Sequence, residues 1–185
     1  MKKILAILAL AASSSVFAVD SFTIEGSNVD NAQSANQRQY NLTVRKDFVE
    51  KLTGDIQFQN TQADGTNALT TRVETGLSYV QPIGHSGGLY IRAATGEKFS
   101  NTSSNYYYSV EPGATYTIGQ TGLTARVGYR YRSAYDPNKY NDQTNTMRYG
   151  LSYALTKKDY VGVRYDRVNG DADQKIYAVN YTRVF

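Results

Sequence analysis

The strictest constraint on this chain is an alternation of apolar and charged residues with a period of two. It is cleanest toward the C-terminal end. Leu123, Ala125, Val127, Tyr129 and Tyr131 share one parity, while Thr124, Arg126, Gly128, Arg130 and Arg132 share the other. Successive side chains of a β-strand point to opposite faces, so this spacing builds a strand with one apolar and one basic face. A helix of 3.6 residues per turn would scatter both sets around its surface.

The same pattern recurs along the chain and predicts ten strands: Ser21–Asn28, Gln37–Asp47, Thr53–Asn60, Thr70–Val80, Gly88–Glu97, Asn105–Thr117, Leu123–Tyr135, Thr144–Ala154, Tyr160–Val168 and Gln174–Phe185. Each has an apolar and a polar parity, as in Met147, Tyr149, Leu151 and Tyr153 against Arg148, Gly150 and Ser152. The connections fall into two alternating sets. Phe48–Leu52, Gln81–Gly87, Ile118–Gly122 and Leu155–Asp159 are short or glycine-rich. Val29–Asn36, Thr61–Leu69, Lys98–Ser104, Asp136–Gln143 and Asn169–Asp173 are richer in Asn, Asp, Gln and Ser. Short turns at one end and more polar loops at the other mark an all-β, antiparallel up-and-down barrel that spans a membrane. The heavy use of Tyr, with 17 residues and no Trp, favours strands over helices.

The N-terminus separates itself from this domain. Lys2 and Lys3 precede an apolar run from Ile4 to Ala12, and Val16-Phe17-Ala18 places small residues at −3 and −1 of a cut after Ala18. Residues 1–18 read as a cleaved signal peptide and 19–185 as the barrel domain. The apolar run is shorter than the ~20 residues that a helix needs to cross a bilayer. Without Lys2 and Lys3, 18 basic side chains face 16 acidic ones, so the charge falls from +4 to +2, too mild to argue for nucleic acid. The chain has no cysteine, so neither a disulfide nor a thiolate metal site is available.

Two-faced strands alone do not say which face points inward. A secreted soluble barrel with a Tyr-filled core is the alternative to a membrane barrel. The arginines and the export signal favour the membrane, because Arg on a lipid-facing position costs ~2–4 kcal/mol near the midplane. In that setting Tyr at strand ends forms interfacial girdles. Pro112 sits inside the sixth strand, where a closed barrel offers no edge to host it, so a local bulge or bend without change of register is expected there.

The final strand carries Tyr177, Val179 and Tyr181 on one face and ends in Phe185. It resembles the assembly signal of bacterial outer-membrane proteins, although Arg183 stands where that family usually has an apolar residue. The resemblance implies the bacterial outer membrane as location. It also implies membrane lipids, lipopolysaccharide and the outer-membrane assembly machinery as partners. The inward bases are Arg45, Arg72, Arg92, Arg126, Arg130, Arg132, Arg148 and Arg164, with Lys98 near the rim. The inward acids are Glu25, Asp55, Glu74, Glu111 and Asp166. Nine bases against five acids leave four that need water, an anion or a ligand, since unpaired charge does not survive in a dry interior. In this respect the chain resembles the arginine-lined monomeric channels for acidic oligosaccharides, of the oligogalacturonate and sialic-acid type, although those usually have twelve strands. What this implies is a porin-like channel for passive diffusion of small anions past these arginines, Glu74, Glu111 and Asp166.

The competing reading is a closed structural barrel whose arginines pair with Glu25, Glu74, Glu111 and Asp166. Ten strands lie near the size at which side chains fill the interior. An adhesin would present its function in the loops, where only Tyr140 and the Tyr106–Tyr108 run are aromatic. An enzyme is disfavoured. The single histidine, His85, falls in a turn with no acidic neighbour in sequence. No metal or cofactor is expected. Asn169-Gly170-Asp171-Ala172-Asp173 offers oxygen ligands for calcium, but Asn-Gly is first of all a hairpin turn.

Overall fold

The computed structural model of the protein describes residues 19–32, 34–66, 68–100, 103–140 and 142–185. The signal peptide proposed for residues 1–18 lies outside them. Ten strands form: β1 (Ser21–Asn31), β2 (Gln37–Val49), β3 (Leu52–Ala63), β4 (Leu69–Ile83), β5 (Gly87–Phe99), β6 (Ser104–Thr117), β7 (Leu123–Ala134), β8 (Thr144–Ala154), β9 (Asp159–Gly170) and β10 (Gln174–Val184). Every strand pairs antiparallel with its chain neighbour, and β1 pairs with β10 to close the barrel. Closure leaves no strand edge with unpaired backbone groups, which a bilayer would not satisfy. Several strands run longer than their alternation suggests, by three residues in β1 and four in β4, because ladder pairing continues past the expected ends.

Both termini emerge at one rim, the terminal rim, together with the four tighter turns; the opposite loop rim carries five connections. His85 lies in the turn 84–86, at the terminal rim. Pro112 pairs with Ile91 on its β5 side. On the β7 side the ladder lapses at Glu111 and Pro112 and resumes with Gly113 opposite Gly128, in unchanged register. Among the described residues the register shifts in the β2–β3 hairpin, between Asp47 and Val49. There the Phe48 ring packs over Gly54, where a Cβ would stand 2.6 Å from the ring. Asp171 and Asp173 serve separate contacts. Asp171 accepts from the Gln143 amide at 2.7 Å, and Asp173 pairs with Arg167 at 2.7 Å.

The apolar parity faces outward. Leu77, Ile91, Val163, Val179 and Tyr149 are all exposed on the barrel wall, while Glu111 and Asp166 are 1% exposed inside. This is the inverse of a water-soluble barrel and the pattern of a membrane-spanning one, which rules out the Tyr-filled soluble core. Outward tyrosines cluster across strands. Tyr149, Tyr165 and Tyr177 are register partners on β8, β9 and β10, with ring centroids 6.3 and 5.2 Å apart. Tyr108 meets Tyr131 and Tyr135 at 6.2 and 5.5 Å. Near the terminal rim Phe22 meets Tyr181 and Phe185 at 6.3 and 5.8 Å across the closing seam.

The seam is clamped by Asp20. Its backbone accepts from the Phe185 amide at 3.0 Å. Its carboxylate accepts from the Asp47 amide at 2.7 Å and from Lys46 at 3.2 Å. The Asp47 amide and Lys46 hold the Asp20 carboxyl below its ordinary range.

Two outcomes follow from these placements. Val163→Arg is expected to destabilise the barrel in vesicles by ~2–4 kcal/mol, while Val163→Leu changes little. Urea titration of refolded protein measures this, and equal stability of both variants would contradict a lipid-facing Val163. The Asp20 clamp contributes above about pH 4, where an unfolded Asp is ionised, and is lost as pH falls through the depressed value of the folded carboxyl. Protection of the Asp47 amide, its exchange rate relative to the intrinsic rate at each pH, should therefore fall over that acid window in the native chain and stay constant there in Asp20→Asn.

Candidate functional site: a charged interior in three layers

Alternation delivers every second residue of each strand to the interior, and arginine is long enough to reach past the neighbouring strand. Arg92 on β5 does so across β4 to β3. Its Nε and Nη2 donate to Asp55 of β3 at 2.9 and 2.5 Å, and its Nη1 donates to Glu74 of β4 at 2.6 Å. Gly76 lies beneath this guanidinium, and a Cβ there would strike it. Arg130 of β7 donates to the other Glu74 oxygen and to Ser109 at 3.2 Å. Along this arc the order is Asp55, Arg92, Glu74, Arg130.

A second arc continues around the wall. Glu111 of β6 accepts from Arg126 at 3.0 Å and from Arg148 of β8 at 2.8 Å. Arg148 and Arg164 each place Nε 3.5 Å from an Asp166 oxygen. Arg164 also donates to Glu25 of β1 at 2.9 Å, and Glu25 accepts from Asn41 of β2 at 2.6 Å. Tyr90 braces this arc. It donates to Glu111 at 3.0 Å and accepts from Arg126 Nε at 2.8 Å, and the guanidinium carbon lies 4.1 Å over its ring. Gly113 and Gly128 make room for the ring, which any Cβ at either position would overlap.

Together the arcs form a belt around the interior. Arg92, Arg126, Arg130, Arg148 and Arg164 supply five positive charges, and Glu25, Asp55, Glu74, Glu111 and Asp166 supply five negative ones. The belt is neutral, and it is close to dry, with Glu74, Glu111 and Asp166 at most 2% exposed.

Charge departs from balance on either side. Toward the terminal rim a cavity of about 310 Å³ reaches the belt, lined among others by Thr23, Thr43, Thr115, Thr124, Ser152 and Thr182. Arg45 and the more exposed Arg126 face it. Arg45 stands opposite Asp55 in register, but both Asp55 oxygens are bonded to Arg92, and Arg45 holds no ion pair among the described residues. Toward the loop rim the interior is filled. Val29, Val168 and Ile176 make an apolar cluster on one wall, and Tyr107 is 1% exposed on the other. There Arg72, Lys98 and Arg132 gather around one carboxylate, Asp142, which accepts from Arg132 at 2.6 Å and from Asn105 at 3.5 Å. Burial pushes the Asp142 carboxyl up, but Arg132, Arg72 and Lys98 outweigh it and hold it below the ordinary range.

Asp142 was not among the acids read from the sequence. It lies in a connection, 135–143, and alternation says nothing about where a loop side chain points. With it the interior has six acids against nine bases, so the excess is three. Arg45, Arg72 and Lys98 are the three inward cations without an ion pair among the described residues. Of the eight arginines singled out by parity, six hold carboxylates: Arg92, Arg126, Arg130, Arg132, Arg148 and Arg164. Tyr177, Val179 and Phe185 face outward on or beside the closing strand.

No protein-family model matches the chain, and no curated protein matches it in sequence. Among solved structures it is similar to an outer membrane channel of Pseudomonas putida F1 (COG4313), with TM-score 0.56 and 13% identity over 89% of this chain and 94% of that one. It is similar to the KdgM porin, with TM-score 0.52 and 14% identity over 88% and 99% of the two chains. It is also similar to the NanC porin, with TM-score 0.51 and 11% identity over 89% and 100%. At these identities the likeness is one of fold: the chain has the closed antiparallel barrel of bacterial outer-membrane porins.

Proposed function

We propose that the protein is a narrow porin-like channel of the bacterial outer membrane that favours small anions. The observation that carries this reading is the positive excess of three in the interior, carried by Arg45, Arg72 and Lys98 on the two sides of a neutral belt. A cation without a protein partner in a partly hydrated interior raises the local concentration of anions and lowers their barrier to entry. The cavity at the terminal rim supplies half of a path. The belt is the constriction, and solutes pass when its Arg side chains exchange partners. A KdgM porin has been solved in complex with disordered oligogalacturonate, and the fold likeness makes acidic saccharides sensible first solutes for this chain. The outward Tyr177, Val179, Tyr181 and Phe185 support a role for β10 in recognition by the outer-membrane assembly machinery, and the outward apolar wall suits membrane lipid. The signal peptide of residues 1–18 supplies the export route.

The neutral, dry belt favours one other reading, a closed barrel whose interior charges are purely structural. Single-channel recording of refolded mature protein in a planar bilayer, under a salt gradient, separates the two. Discrete openings with an anion-selective reversal potential are expected. Arg45→Glu should lower the anion preference roughly threefold, the Coulomb effect of two charge units ~10 Å away in water after salt screening. Silence from protein shown to be folded and inserted would refute the channel and leave the closed barrel.

A further inference from the structure

Arg72 of β4 and Lys98 of β5 are direct cross-strand partners, both turned inward near the loop rim. Like charges in that position repel, yet neither has an ion pair among the described residues, and Arg72 Nε is buried without an acceptor. Arg132 of β7 is the third cation. Its Nη2 is bonded to Asp142, while its Nε is also buried without an acceptor. The next carboxylate along the wall, Glu74, is already bonded to Arg92 and Arg130. Three cations therefore share one carboxylate, and that carboxylate does not belong to the wall. Asp142 enters from the connection 135–143 and is 4% exposed. It engages only one Arg132 nitrogen and Asn105, and leaves Arg72 and Lys98 unanswered.

We propose that Arg72, Lys98 and Arg132 form a binding site for a solute carboxylate at the loop-rim mouth, and that Asp142 is its tethered occupant, displaced when the solute binds. The assignment of this site to passing solutes rests on the channel reading. The ligand chemistry comes from the occupant itself: a carboxylate that accepts from one guanidinium nitrogen and a side-chain amide. A solute carboxylate that also reached Arg72 and Lys98 would satisfy donors that Asp142 leaves open. The tether offsets one of the three positive charges at rest, which lowers the cost of holding like charges together, and makes occupancy a competition between two carboxylates.

The test is calorimetric titration of the folded barrel in detergent micelles with sodium glucuronate, and with glucose as the uncharged control. Asp142→Asn is expected to bind glucuronate about tenfold more tightly than the native chain, because the internal competitor is gone. The paired change Arg72→Gln with Lys98→Gln is expected to bind about tenfold more weakly, the loss of a charge-assisted hydrogen bond. The paired variant gives up no ion pair, so it should fold, and relief of repulsion should raise its urea midpoint. Unchanged or weaker binding in Asp142→Asn, or native-like binding in the paired variant, would overturn the proposal. If Asp142→Asn does not fold, the paired variant decides alone. The measurement needs no conduction. Binding as described in a barrel silent in bilayers would remove the channel and keep the site; anion conduction without these affinity changes would remove the site and keep the channel.

Discussion

Backbone hydrogen bonding in lipid governs everything else in this molecule. A strand that crosses a bilayer must have both of its edges paired, because the hydrocarbon offers neither donor nor acceptor. Ten antiparallel strands achieve this by joining β1 to β10. Once the sheet is closed, alternation is no longer a tendency. Each strand is divided into residues that meet lipid and residues that meet one another, and a shift by one residue would exchange the two sets. The apolar parity incurs no penalty in lipid, so the barrel wall can be stable with almost no apolar core; among the described residues Val29, Val168 and Ile176 make a core cluster of only three.

The interior must then be stabilised by other means. A ten-stranded barrel is wide enough that aliphatic side chains from opposite walls do not meet, yet narrow enough that arginine spans neighbouring strands. The belt uses that reach. Arg130 of β7 meets Glu74 of β4, and Arg164 of β9 meets Glu25 of β1 across the intervening β10. Such pairs tie non-adjacent strands together, which ladder bonds cannot do. Glu74, Glu111 and Asp166 each have two arginine partners, so loss of one arginine leaves them a second, whereas Asp55 depends, among the described residues, on Arg92 alone. Loss of a shared acid such as Glu74 would leave the buried Arg130 without its carboxylate, and an uncompensated buried charge is the costly case.

Much of this is legible in the residues alone. Parity places all eight arginines on one face because a period of two translates directly into direction. The alternation of short and polar connections yields the strand number for the same local reason. The undisturbed register at Pro112 follows from equal parity on either side of it. What sequence does not supply is whatever depends on chords across the barrel. Arg92 choosing Asp55 and Glu74, or Arg45 facing an Asp55 already taken, depends on stagger and tilt, which no single strand encodes. The bulge near Phe48 is a turn-level event that leaves parity elsewhere intact. Asp142 escapes a reading by parity because a loop carboxylate has no periodicity. The charge surplus is the available clue: nine inward bases against five acids call for a further anion, and one of the missing four lies in the nearest polar connection.

That arrangement separates the charges by what they can do. A neutral belt with every carboxylate engaged has little to offer a passing ion, since any new partner for one of its groups must displace an existing one. The cations that can respond are those without an ion pair among the described residues, at Arg45 on one side and at Arg72 and Lys98 on the other. On the channel reading proposed above, a barrel built this way would keep its structural charge in the middle and its functional charge at the mouths. The energetic reason is desolvation. A cation without a partner is tolerable where water reaches it or a mobile carboxylate can visit, and intolerable in the dry middle. The surplus is therefore confined to the ends by the same physics that makes the belt neutral.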